Sequence, residues 1–142
     1  MKIVINDQYG GFELSLLAIK MYLKSKRKEA YFYKTIINDN KITYEKTNED
    51  DKSIFTFCFT KDFGTKITDK DITSEDWGKY SFSSKSIKRT DKYLVKVIEE
   101  LGNKANTMCS TLKIIDIPND VDWTIEEYDG NEWVAEKHRT WC

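Results

Sequence analysis

The chain has 142 residues, 39% hydrophobic, 33% charged and 13% aromatic, which suits one domain with a compact core under a highly charged surface. Its 23 basic and 24 acidic residues leave a net charge of −1, which disfavours a protein that coats duplex nucleic acid but leaves room for a local basic pocket. Three widely spaced cysteines, no CxxC pair and a single histidine argue against a zinc site, and no apolar run suits a signal peptide or a membrane span. A soluble, reduced, intracellular protein is expected.

Lys2 to Asn6 is a short β-branched strand, and Asp7-Gln8-Tyr9-Gly10-Gly11 reads as a turn whose glycines tolerate positive φ and let a ligand come close to the backbone. Phe12 to about Lys26 follows as helix, ending in the basic cluster Lys24, Lys26, Arg27 and Lys28, which complements a helix C-terminus. Strand, glycine turn and helix form the generic layout of a phosphate-binding loop. The turn lacks both the G-x-G-x-x-G and the Walker lysine patterns, so a plain tight crossover explains it equally well.

Ala30 to Ile37 and Lys41 to Thr47 are expected to pair across Asn38-Asp39-Asn40. Ser53 to Lys61 is expected to be a strand with Phe55, Phe57 and Phe59 on one face and Ile54, Thr56, Cys58 and Thr60 on the other. Asp62 to Lys79 is polar and turn-rich, with no clear element. Tyr80 to Ser84 then leads into Lys85–Gly102, whose second half is the clearest amphipathic helix, with Leu94, Val97, Ile98 and Leu101 on one stripe. Thr90 is the expected N-cap, Asp91 suits the positive end of the helix dipole, and Gly102 is the expected stop. Lys85, Lys88 and Arg89 lie just before that helix, where cations beside unpaired N–H groups would make an anion site; a capped surface helix with solvated lysines is the plainer alternative. Thr111 to Ile117 is a further strand, and Trp123 to Tyr128 with Glu132 to Lys137 flank Asp129-Gly130 as a C-terminal hairpin.

Catalytic groupings are scarce. A serine or cysteine nucleophile would have to use His138, set between Lys137 and Arg139, and the paired carboxylates Glu99-Glu100 and Glu126-Glu127 do not suit acid–base work. Enzymatic function, a metal and a cofactor are therefore not expected. In the tail, Arg139 could pair with phosphate and Trp141 could stack on a base, an interaction of ~1–3 kcal/mol, or Trp141 could pack into a groove of the protein.

Three stretches taken together resemble a known family. They are Lys2–Asn6 with Tyr9-Gly10-Gly11-Phe12, Arg89-Thr90-Asp91 with Val97–Gly102, and Glu126–Gly130 with Glu136–Trp141. Their order and spread make the chain similar to the Thoeris anti-defence protein type 1 family of small phage proteins, outside roughly Asn38 to Ser84. The resemblance implies a single nucleotide-binding domain over 1–142 that works in the host bacterial cytoplasm as a sponge. Such a protein binds cyclic ADP-ribose isomers made by bacterial TIR proteins and sequesters them without cleavage. It also implies homo-oligomers, dimers grouping into hexamers, and it leaves open capture of cyclic oligonucleotides at a second kind of site. The expected fold is α+β: a mainly antiparallel β-sheet with two helices, near 12–26 and 91–101, and the C-terminal hairpin. The expected ligand contacts are Gly10 and Gly11 at the turn; Lys88, Arg89 and the Thr90–Asp91 turn, with Arg139, for phosphate; and Tyr9, Phe12, Phe82 and Trp141 for stacking. The competing readings are a nucleotide-processing enzyme acting on the same signals and a direct protein-binding inhibitor of a host enzyme.

Overall fold

In the computed structural model, residues 1–53 and 55–137 are described, so the expectations placed on Ile54, His138, Arg139 and Trp141 lie outside the described residues. The fold is α+β. Strand β1 (Lys2–Asn6) pairs antiparallel with β7 (Leu112–Asp116), Val4 opposite Ile114. Between them in sequence, β2 (Tyr31–Asn38), β3 (Lys41–Thr47), β4 (Thr56–Phe59), β5 (Lys66–Thr68) and β6 (Ser81–Phe82) make an antiparallel sheet of order β5-β3-β2-β4-β6. The C-terminal hairpin joins β8 (Trp123–Tyr128) to β9 (Asn131–Glu136).

Both long hairpins close through two residues of positive φ, Asp39 (47°) with Asn40 (65°) and Asp129 (51°) with Gly130 (85°). That is the type I′ geometry whose twist matches the flanking strands.

Period-two alternation divides the five-stranded sheet between two cores. Phe32 and Cys58 face α1 (Leu16–Ser25) and α3 (Lys92–Leu101), where they join Val4, Leu14, Leu23, Leu94 and Ile98. Tyr33, Tyr44, Phe57 and Phe59 face the other way, under Trp77 of α2 (Ser74–Tyr80). Tyr33 is fully buried, with its hydroxyl donating to Gly64 O (2.9 Å) and accepting from Phe63 N (3.0 Å).

Several boundaries differ from expectation. The first helix starts at Leu16 and not at 12, because Ser15 takes the N-cap role, accepting from Ala18 N while its own N–H and hydroxyl are tied to Ala105 O and Lys104 O. Asp91, not Thr90, caps α3, its carboxylate accepting from Tyr93 N and Leu94 N. β4 is shorter than Ser53–Lys61, and Phe55 lies before it, 68% exposed. The segment without a clear element holds α2, so the described residues contain three helices where two were expected. α2 is fixed by a capping box between Thr73 and Asp76, a reciprocal pair of side-chain to backbone bonds. No helix among the described residues is long and apolar enough to cross a membrane.

Candidate functional site

Described residues from the three stretches singled out by sequence meet along β1. Val4 N donates to Arg89 O (2.9 Å), and the Arg89 guanidinium reaches back toward Val4 O (3.3 Å). Its two terminal nitrogens meet Glu132 of β9 in a bidentate pair, 2.6 and 2.9 Å, and Glu132 Oε1 also accepts from Asn6 N at 2.9 Å. One Arg–Glu pair thus satisfies part of the open edge of β1 and fastens the hairpin to it. The guanidinium also lies 3.5 Å from the centroid of the Phe12 ring, a cation–π contact.

Two of the expected ligand contacts are thus engaged within the protein itself. Arg89, expected to grip phosphate, is a half-buried ion-pair partner. Phe12, expected to stack on a base, is 3% exposed with the guanidinium over its ring. Nor are the N–H groups at the start of α3 open to an anion, because the Asp91 carboxylate fills that position itself. Asp91 Oδ2 also accepts from the Tyr22 hydroxyl (2.9 Å) and lies 3.5 Å from Lys26 Nζ. Burial pulls the Asp91 carboxyl upward, but the Tyr22 hydroxyl, the Tyr93 and Leu94 N–H groups and Lys26 outweigh it, and its pKa falls below the usual range. Burial, then the bond to Asp91, raises the Tyr22 phenol. Phe82 stacks on Tyr22 at 6.0 Å, within this packed cluster. Thr90 is half-buried and lines a groove on the far side of α3, and Lys88 is solvent-exposed.

The glycine turn is more open. Gly10 has φ +135°, and a Cβ there would fall 2.3 Å from Cys109 O; a Cβ on Gly130 would fall 2.1 Å from Gly10 O. Both glycines are therefore required by close approach of backbone to backbone. The turn is held by Gly10 N to Asp129 O (3.0 Å), Gly11 N to Cys109 O (3.2 Å) and the buried Asn6 amide, which donates to Gln8 O and Gly130 O. A Cβ on Gly11, by contrast, would meet nothing within 4 Å. Gly11 borders a cleft of about 370 Å³ lined also by Gly10, Phe12, Glu13, Ser83, Ser84, Lys85 and Cys109. That volume lies in the range of small-molecule sites, and its one basic side chain is Lys85. Tyr9, which precedes Gly10 in the turn, is 63% exposed, with its ring edge-on to Tyr128 at 6.5 Å.

Of the expected contacts, Gly10, Gly11 and Phe12 therefore border one cleft with Tyr9 beside it, while Phe82, Arg89 and Asp91 serve packing beneath. Sequence reasoning missed Asn6 and Glu132; apart from Gln8, their partners lie more than 40 residues away. It also missed Cys109 and Ser83, which carry no motif. A polar residue ending an apolar strand just before a glycine turn was the one available signal for Asn6. Among the described residues, no group of three or more His, Cys, Asp or Glu side chains is placed to hold a metal ion. Set against family models, curated proteins and solved structures, the chain matches none.

Proposed function

We propose that the protein is a phage anti-defence sponge of the Thoeris type 1 kind. It binds cyclic ADP-ribose isomers in the glycine-turn cleft and withholds them, uncleaved, from their host receptor. The observation that carries this reading is the convergence of the glycine turn with Ser83–Lys85 around one small-molecule-sized cleft. Gly11 lets a ligand approach the backbone, Lys85 supplies a cation for a pyrophosphate, and Tyr9, exposed in the same turn, offers an aromatic face. The experiment is mass spectrometry of small molecules released by heat from protein expressed beside an active TIR cyclase. Intact cyclic ADP-ribose isomer is expected. Chemically altered nucleotide would move the reading to a nucleotide-processing enzyme. Gly11→Leu fills the cleft from a position with open space, so capture should drop more than about tenfold while the thermal midpoint stays near that of the parent protein. Undiminished capture removes the cleft from the proposal.

One observation favours the second reading, a direct protein-binding inhibitor. Tyr128 (70% exposed) and Trp133 (44% exposed) share the outer face of the β8–β9 hairpin beside Tyr9, and exposed aromatics of this kind are common at protein interfaces. Tyr128→Ser with Trp133→Ser separates the two readings. Nucleotide capture is expected to survive it, whereas inhibition of a host protein through this face would not.

A further inference from the structure

α3 carries its charges in an order that its own dipole disfavours. Beyond the Asp91 cap, its first residue is Lys92 and Lys96 follows one turn later, while Glu99 and Glu100 occupy the last turn. Cations at the positive end and carboxylates at the negative end each weaken a helix, and like charges at i, i+4 repel. The opposite charges of Lys96 and Glu100 at i, i+4 offset part of this, and the two ends remain set against the dipole. None of the ion pairs among the described residues includes Lys92 or Lys96; the Lys92 ammonium lies over the Tyr93 ring, 5.2 Å from its centroid, a contact that a phosphate would have to draw it from. Both border a groove of about 510 Å³ between the outer face of α3 and the start of β1. Lys2 closes it from the strand side, Thr90 adds a hydroxyl at the cationic end, and Val95 gives an apolar floor, 8% exposed. Glu99, held by Lys2 at 3.2 Å, and Glu100 mark the other end. The groove shares no lining residue with the glycine-turn cleft.

We propose that this groove is a separate binding site for a small phosphate ester with hydrogen-bond donors at its other end, the chemistry of a sugar phosphate. Lys92, Lys96 and the Thr90 hydroxyl take the phosphate with charge-assisted bonds, Val95 supports the carbon skeleton, and the Glu99–Glu100 end accepts from hydroxyl groups. The polarity of the groove sets the direction in which such a ligand lies.

The test is amide NMR of the full chain titrated with ribose 5-phosphate, inorganic phosphate and ribose. Ribose 5-phosphate is expected to shift the amides of Lys2, Lys92, Val95 and Lys96 saturably. Phosphate alone should bind more weakly, and ribose should leave them unmoved. Lys92→Glu gives the sharper reading, because a carboxylate at the start of the helix suits the dipole. Its thermal midpoint should equal or exceed that of the parent while ribose 5-phosphate binding weakens more than about tenfold. Lys96→Gln should weaken binding similarly. Overturning results are the absence of saturable shifts at these four residues, equal binding of phosphate alone, or Lys92→Glu binding at parent strength.

Discussion

Arg89, expected as a ligand contact, fastens the C-terminal hairpin to β1. In the sequence it stands among lysines before a helix, as a phosphate grip would. In the fold its charge is spent on Glu132, which reaches it from a hairpin 43 residues further on. The side chains are 20% and 10% exposed, so the pair is substantially desolvated, and removing one partner strands the other. Arg89→Glu should therefore cost about 3–5 kcal/mol by setting two carboxylates face to face, read as a lowered urea midpoint. Glu132→Gln should cost less, since an amide oxygen still accepts from Asn6 N. A loss below about 1 kcal/mol for Arg89→Glu would show that the pair is not closed in solution. Asp51 supplies the acid-side counterpart. Bonds from Ser53 and Thr47 hold its carboxyl down to about 2, against an ordinary 3.8. A depressed folded pKa means that the unfolded chain binds the proton first, so the stability Asp51 adds is complete above 3.8 and is lost as pH falls toward 2. Unfolding followed across that window should show a shallower acid slope in Asp51→Asn than in the parent. Equal slopes would assign the acid loss to other carboxylates, Asp91 first among them.

At the level of elements, what was legible followed from local physics. β1 and β3 fall at their expected residues because β-branched runs and alternation are properties of the strand alone. The hairpins were visible through their turn residues, and Gly102, at φ 57°, ends α3 as read. α2 was not legible. It is seven residues long, has no apolar period, and is anchored by Trp77 on a distant sheet face. Its one local sign was the Thr73-x-x-Asp76 box. The candidate site was half legible for the same reason. The glycine turn announces itself, but its neighbours Cys109 and Ser83 are brought in by topology. The C-terminal hairpin is the element on which that turn depends, since Gly10 N donates to Asp129 O and the Asn6 amide joins Gln8 O of the turn to Gly130 O of the hairpin. Gly130→Ala adds a Cβ at φ 85°, 2.1 Å from Gly10 O, and should destabilise by more than about 1 kcal/mol. Hydrogen exchange should report it locally, with the Gly10 amide losing protection before the strands do. Unchanged exchange at Gly10 would mean that the turn stands without the hairpin.

For the whole molecule the question is whether two cores make one folding unit. The five-stranded sheet separates an aromatic core under α2 from an aliphatic core between α1 and α3, and neighbouring residues of one strand feed both: Phe32 and Tyr33 in β2, Cys58 and Phe59 in β4. A strand cannot lose one face and keep the other in register, because a one-residue slip exchanges its faces. β1 and β7 join the helix-side core through Val4, Leu112 and Ile114, which ties the cleft end of the molecule to the same packing. The expectation is a single cooperative transition. Leu94 is fully buried in the helix-side core, away from Trp77. Leu94→Ala should cost about 2–5 kcal/mol through lost transfer energy and a residual cavity. The informative measurement is the agreement between probes. Tryptophan fluorescence, to which Trp77 contributes from the opposite side of the sheet, and far-UV circular dichroism should move to the same lowered midpoint. If fluorescence keeps its parent midpoint while helical signal melts early, the α2 side folds on its own, and the cleft, which draws on the helix side, can open without global unfolding.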